Sequence, residues 1–476
     1  MSRVQRLILL GGGGLLLSTL PVQGLADSSM PVAKRVAVQA LAAADDTHKD
    51  FASALQAQLK RKTWIEFYRS NADKAYWLRP DAGWLGGAKP SDAATALLEV
   101  LGQAHTHGLQ PQDYAVQQLQ QWADDMPGEP ATLIKAELQF MQSYLDYYRH
   151  LAQGRYPELR EESSWYIQQH DYSEAEALRR LKAQGPLAAL DSILPAQGEY
   201  QWLREARSKM QAVVQAGGWP QVPSGPLLKP GMQSEVVPAL RKRLAAAGLL
   251  TADDSSEAGN LYDDNTVAAL KVFQRQFGLQ EDGILGPAGL AMLNYPAKKR
   301  LAQIDANLER LRWLPQKLAD DRLVVNIAAF NLRGYRENKE LINMRVVVGE
   351  EQHETPTFDD QLEYIEINPY WSIPNSIVVN ELAPKQVENL NYLASRNMQV
   401  YEGWEDDDTI DADDIDWDDY TDPEAIFPHV IKQDPGPGNA LGRIKFMFPN
   451  QYSIYLHDTP ETNLFWAADR SYSHGC

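Results

Sequence analysis

The chain has 476 residues, with 64 acidic against 45 basic side chains and a net charge of −19. Most of such a surface repels a phosphate backbone, so nucleic-acid binding is a poor first expectation. A hydrophobic fraction of 44% and a charged fraction of 23% are those of a folded globular protein rather than a disordered one. The length suggests about three domains. Cys476 is the single cysteine, so no internal disulfide can form, and the thiol is either reactive or accidental.

At the N-terminus, Arg3 and Arg6 precede an uncharged apolar run over residues 7–20, and Gly24-Leu25-Ala26 offers small residues before Asp27. This is the layout of a secretory signal peptide, predicted to span residues 1–26. The alternative is an uncleaved anchor, but the run falls short of the roughly 20 residues of a spanning helix, and Pro21 and Gln23 interrupt its extension. No later stretch is long and apolar enough to span, so the mature protein is expected to be soluble, without stable membrane insertion.

Residues 27–220 read as a helical scaffold domain. Over residues 137–150, Leu138, Met141, Leu145 and Tyr148 fall at three- and four-residue spacings, and Leu97, Leu98 and Leu101 repeat this before a stop at Gly108. His105 and His107 have no companion ligands, which predicts a surface or capping role. Gly217, Gly218, Pro220, Pro223, Gly225, Pro226 and Pro230 then mark a linker.

Residues 226–296 form a compact unit. A first helix carries Val236, Val237, Leu240 and Leu244; Asp263-Asp264-Asn265-Thr266 caps a second, with core residues Leu270, Phe273 and Phe277. The unit closes on a DGILGP turn whose glycines can supply positive φ. LKPG, TVAALKVFQRQFGL and DGILGP resemble a small three-helix peptidoglycan-binding domain, with departures at Gln233-Ser234 and Gly289. The resemblance implies binding to glycan strands; a helical spacer without ligand is the alternative.

Residues 304–316 predict a short amphipathic helix ending at Pro315, after which β-branched runs take over. Strands are predicted at 323–330 and 341–349 around a polar turn at 336–339, and again at 364–368, 443–448 and 452–457. The strands pause between residues 374 and 433. There, residues 405–424 hold twelve acidic side chains and no Lys or Arg, which predicts a solvated loop, with a lid over a site as a further reading. A calcium loop of EF-hand type fails, because Asp419 and Ala425 stand at its glycine and glutamate positions.

The final residues concentrate the chemistry. His457 ends a predicted strand, and Ser473-His474-Gly475-Cys476 follows after fifteen intervening residues. A cysteine nucleophile needs a base to take its proton and to protonate a leaving amine, and imidazole does both near neutral pH. A glycine beside the nucleophile allows a tight turn presenting N–H groups to an oxyanion.

This constellation resembles the YkuD-type L,D-transpeptidase catalytic domain. NLERLRWLP (residues 307–315), NPYWSIPNSI (368–377) and PGPGNALGRIKFMFPN (435–450) are similar to its large periplasmic branch. The resemblance implies a Gram-negative periplasmic enzyme acting on peptidoglycan tetrapeptide stems. Cys476 would form a thioester at diaminopimelate, releasing D-Ala, and a second stem's amine would accept the acyl group in a 3→3 cross-link. By the same resemblance His457 is the base, Gly475 and Cys476 give the oxyanion hole, His474 shapes the turn, and Ser473 orients the imidazole; no metal or cofactor is needed. Tyr455, two residues before His457, and Trp371 are candidate pocket walls, with plain core packing as the alternative.

The sequence thus predicts a multidomain α+β chain: signal peptide 1–26, helical scaffold 27–220, peptidoglycan-binding domain 226–296, and a mostly antiparallel β catalytic domain 304–476. The last is expected to be C-terminally incomplete, with a lid or acidic insertion around 375–432. The family continues past its cysteine, whereas this sequence ends there, so a truncated, non-catalytic peptidoglycan-binding protein is one alternative. An L,D-carboxypeptidase-like thiol hydrolase is another.

Overall fold

The computed structural model describes residues 5–10, 51–70, 75–80, 88–126, 128–168, 172–251, 259–404 and 408–473. The chain divides into two compact units. Residues 14–163 and 167–318 form the helical unit; residues 1–13, 164–166 and 319–476 form the sheet unit. Strand β1 (Gln5–Leu10), first in chain order, belongs to the sheet unit.

The helical unit begins with α1 (Phe51–Gln58) and α2 (Lys62–Arg69), then a hairpin of β2 (Leu78–Pro80) and β3 (Ala88–Pro90). Helix α3 (Asp92–Gly102) starts where Ser91 Oγ accepts from Ala94 N, an N-cap that satisfies a free amide. A 3₁₀ turn at Ala104–His107 follows and stops at Gly108, whose φ of 72° is the left-handed geometry that favours glycine.

After α4 (Val116–Asp124), helix α5 (Pro130–Gln153) runs through the middle of the scaffold core. Its predicted single stripe understates its burial: Leu133, Phe140, Tyr144, Tyr147 and Leu151 are buried beside Met141, Leu145 and Tyr148, while Leu138 is only partly covered. A helix enclosed on most sides carries tyrosines and even a carboxylate inward, which apolar periodicity does not register. That carboxylate is Glu137. It accepts from Tyr68 Oη at 2.9 Å and from the amides of Tyr76, Trp77 and Leu78 at 2.8–3.1 Å, clamping the strand before the hairpin.

The surface expectation for His107 is corrected: it is buried, with Nδ1 2.9 Å from Tyr200 Oη. The packing of the helix over Gly198–Gln215 against the 3₁₀ turn encloses it, a tertiary contact that local sequence does not report. His105 is exposed, its Nδ1 3.2 Å from Gly102 O.

Helices α6 (Pro157–Glu162), α7 (Glu174–Asp191) and α8 (Gly198–Gln215) complete the scaffold. The predicted linker is pinned rather than loose, because Val222 is buried and exchanges two hydrogen bonds with the Asn294 side chain. A second core then forms under α9 (Val237–Ala246), α10 (Asp264–Gln276) and α11 (Pro287–Leu293), around Leu240, Leu244, Leu270 and Phe273. Asp263 caps α10 through Thr266 N, as predicted. Of the two glycines in the DGILGP turn, Gly283 has φ +71°, but Gly286 has φ −102° and is the residue before Pro287 at the start of α11.

Helix α12 (Ala297–Arg312) begins seven residues earlier than the predicted 304 and packs along α8. Arg207 on α8 donates to Asp305 on α12 at 2.6 Å.

In the sheet unit, β4 (Arg322–Asn326), β5 (Asn331–Arg336) and β6 (Lys339–Arg345) form an antiparallel meander. The predicted strand at 323–330 is therefore too long. Asn326 caps a 3₁₀ turn at Ile327–Ala329, and Phe330 takes φ +50° to reverse the chain. Strands β7 (Val348–Gly349) and β8 (Asp359–Leu362) follow, and the five-stranded sheet has the order β6-β5-β4-β1-β8. Part of the apolar run expected in a leader is thus a strand here, parallel to β4 and antiparallel to β8, giving both ladder partners.

The expected pause of strands between residues 374 and 433 is corrected, although the described acidic side chains of 408–424 are exposed. After β9 (Tyr364–Ile367) and β10 (Trp371–Ser372), the insertion builds its own sheet with β11 (Met398–Tyr401), β12 (Thr409–Ile410) and β13 (Val430–Gln433), in the order β10-β13-β11-β12. Its core holds Ile373, Leu382, Leu393, Val400, Trp417, Phe427 and Ile431. Among twelve acidic neighbours, Trp417 supplies the burial: it stacks on Phe427 at 5.3 Å and donates Nε1–H to Ala412 O.

Finally β14 (Ile444–Met447) pairs with both β9 and β15 (Leu456–His457), and β16 (Ser471–Ser473) runs parallel to β7.

Candidate active site

His457 closes β15 directly opposite Lys445 of β14. The connection between those strands is a built turn. Asn450 donates Nδ2–H to Phe448 O and Ile454 O at 2.6 and 2.7 Å, and its Oδ1 accepts from Tyr452 N and Ile454 N at 3.1 Å each. Ser453 takes φ +55° within it. This geometry delivers Tyr455 and His457 to one side, with ring centroids 5.7 Å apart, as the two-residue spacing predicts.

His457 Nδ1 lies 2.6 Å from the Asp458 carbonyl oxygen. A carbonyl only accepts, so Nδ1 carries the proton and Nε2 keeps the basic lone pair. The Asp458 carboxylate is held by Arg443 N at 3.0 Å, next to Gly442, whose φ of +62° and tight approach to that carboxylate leave no room for a side chain. Burial lowers the proton affinity of His457, and the nearby Lys445 charge adds to this, while the Asp458 carbonyl and carboxylate oppose it. The arrangement is a neutral imidazole in a fixed tautomer, suited to proton acceptance.

Ser473 ends β16 opposite Gly349 and accepts from Glu350 N at 2.9 Å through its carbonyl. His474, Gly475 and Cys476 lie outside the described residues. Trp371 pairs with Gln433 on the insertion sheet and rests partly against the insertion core.

Residues 320–476 match the family model of the L,D-transpeptidase catalytic domain, YkuD. The chain carries an L,D-transpeptidase domain. Residues 62–206 match the model of a scaffold domain, and residues 233–293 match one described as "Putative peptidoglycan binding domain". The chain is 32% identical over 170 residues to a protein named "Putative L,D-transpeptidase" from Haemophilus influenzae, covering 36% of this chain and 33% of that one. It is also 36% identical over 87 residues to the N-acetylmuramoyl-L-alanine amidase CwlL of Bacillus licheniformis, covering 18% of this chain and 21% of the amidase. It therefore spans a third or less of the length of these curated relatives.

Several residues that shape the L,D-transpeptidase domain escaped the sequence reading. Asn439 is buried and donates Nδ2–H to Asp434 O at 3.0 Å, with Pro369 O at 3.2 Å and Gln433 O at 3.3 Å, while Leu441 N reaches its Oδ1 at 2.8 Å. Gln433, also buried, donates to Arg396 O and Gly438 O and accepts from Ala440 N. The available signal was amide side chains inside glycine- and proline-rich runs, where backbone groups lack ladder partners and side chains must satisfy them. Among the described residues, no helix is long and apolar enough to cross a membrane.

Proposed function

We propose that this protein is a peptidoglycan L,D-transpeptidase that forms 3→3 cross-links between diaminopimelate residues through a thioester on Cys476. The observation that carries the reading is the His457 imidazole, its Nδ1 proton held by the Asp458 carbonyl and its Nε2 lone pair left for a thiol. Nε2 takes the Cys476 proton as sulfur attacks the amide carbonyl, then returns it to the departing D-Ala nitrogen. In the second half it deprotonates the acceptor amine, which displaces the thiolate. Backbone N–H groups of Gly475 and Cys476 stabilise the oxyanion, with His474 shaping that turn and Ser473 orienting the imidazole. Tyr455 and Trp371 line the stem pocket, and residues 375–432 act as its lid.

The 226–296 domain binds glycan strands. The protein works outside the cytoplasm, in the periplasm. Incubation with a disaccharide tetrapeptide, followed by intact-mass analysis, tests this reading. The expected result is a Cys476 adduct lacking D-Ala and a 3→3 dimer, both abolished by C476A. Tripeptide alone would mean hydrolysis in place of transfer; no adduct would refute the catalytic reading and leave a wall-binding protein.

A further inference from the structure

Three chemically distinct side chains stand in one line across the β9-β14-β15 sheet. The ladder pairs Glu366 with Lys445, and Lys445 with His457, so carboxylate, ammonium and imidazole occupy directly opposed positions on successive strands. Directly opposed residues project to the same face, with Cβ atoms about 5 Å apart. The side chains meet: Lys445 Nζ is 3.8 Å from Glu366 Oε2 and lies 4.2 Å from the centroid of the Tyr455 ring, which in turn is 5.7 Å from the His457 ring. The Lys445 side chain is only 15% exposed, so its flexible stem is held and its charge is poorly screened.

The geometry points to Lys445 as a positioning residue of the transpeptidase site: a cation held by Glu366 and by the Tyr455 ring face, which keeps His457 neutral and ready to accept a proton. This rests on the transpeptidase reading above. A fixed positive charge beside an imidazole disfavours its protonated form and favours an anion such as a thiolate in the same space. The charge thus aids attack by stabilising the thiolate rather than the imidazolium, and the imidazolium, once it has taken the thiol proton, is driven to give that proton to the leaving amine.

Among the described residues, the charged groups acting on His457 are Lys445 from β14 and Asp458 beside it. Asp458 is itself turned to Arg443, whose Nε is 3.8 Å from Oδ2. Glu366 on β9 reaches the ring through Lys445. An anion behind a cation softens it. Removing Glu366 is therefore predicted to strengthen the Lys445 effect, and removing Lys445 to abolish it, which a plain salt bridge would not produce.

The test is an NMR titration of the His457 ring in the full chain, its signal assigned by loss in H457Q, for the parent, K445M, K445R and E366Q proteins. Titration of the K445M imidazole is expected about one pH unit higher, that of E366Q lower by a smaller amount, and that of K445R near the parent. The acid limb of Cys476 acylation by a disaccharide tetrapeptide is expected to move in step. An imidazole unmoved in both K445M and E366Q overturns the proposal. Should K445M not fold, the opposite sign expected for E366Q still decides it. A shifted imidazole in a protein that never acylates would refute the transpeptidase reading while the electrostatic row itself stands.

Discussion

Removal of the Glu309 carboxylate is predicted to be among the most damaging single changes in the helical unit. Its two oxygens accept from Arg155 N and Tyr156 N at 2.5 and 3.0 Å, from Arg312 Nη2 at 2.5 Å and from Trp313 Nε1 at 3.1 Å. Arg312 is almost wholly buried and also donates to His107 O and Tyr200 Oη. Glu309→Ala takes from that buried guanidinium the carboxylate 2.5 Å away, and strands the amides of Arg155 and Tyr156. Breaking a buried pair from one side costs about 3–5 kcal/mol, because the remaining charge stays desolvated. Urea unfolding of the full chain, followed by tryptophan fluorescence, measures the loss for E309A. The double replacement E309A/R312M, which removes both charges, is expected to recover roughly half of it, since an apolar substitute carries no desolvation penalty. A loss under about 1 kcal/mol for E309A would refute the reasoning, for it would place the pair in the range of exposed salt bridges.

Other outcomes follow from the same contacts. Gly154→Ala is expected to cost about 2–4 kcal/mol in the same urea assay, because φ is +85° there and a Cβ would meet Glu309 Oε1 and come within 2.6 Å of Trp313 Nε1. Burial holds His107 and His150 neutral down to about 3. Unfolding frees both to bind protons near 6.5, so their contribution to stability is full above pH 6.5 and lost as pH falls from there toward 3, by about 1 kcal/mol per pH unit per histidine. Urea midpoints between pH 7 and pH 5 check this, and H107Q should flatten the slope by roughly half. Trp417→Ala removes the stacked, hydrogen-bonded centre of the insertion and is expected to weaken it by about 3 kcal/mol. Limited proteolysis should then cut first within residues 398–433, and an unchanged pattern would contradict the assigned core.

Local chemistry made the caps and the proposed base legible in the sequence. Asp263 before Thr266 and Gly108 after α3 announce helix ends because each satisfies or permits a specific backbone geometry, and His457 announces itself through its spacing from Ser473. What the sequence concealed were polar groups used as interior parts. Charges at Glu137, Glu309 and Arg312 read as solvent-facing on any amphipathic wheel, yet each is buried because its partners arrive from segments distant in the chain. The reversal at Phe330 was likewise hidden, since an aromatic residue in left-handed conformation has no local signal and persists only where the surrounding sheet fixes it.

The acidic insertion shows how composition misleads when it is averaged. Self-repulsion among carboxylates opposes compaction only where they must approach one another in a dry interior, and here the acidic side chains stay largely at the surface while Trp417 and Phe427 turn inward. Asp411 and Asp422 even assist by accepting from the amides of Asp413 and Glu424, which closes turns that the chain would otherwise leave open. Asn375 then ties the far end, accepting from Phe427 N and donating to Ala425 O. What compacts such a segment is thus a few aromatic and amide residues, and its charge is left to the surface. The same logic holds on both sides of the segment: Asn375 satisfies backbone groups of Ala425 and Phe427, and Asn439 those of Pro369, Gln433 and Asp434, ahead of the strand that carries Lys445 opposite His457.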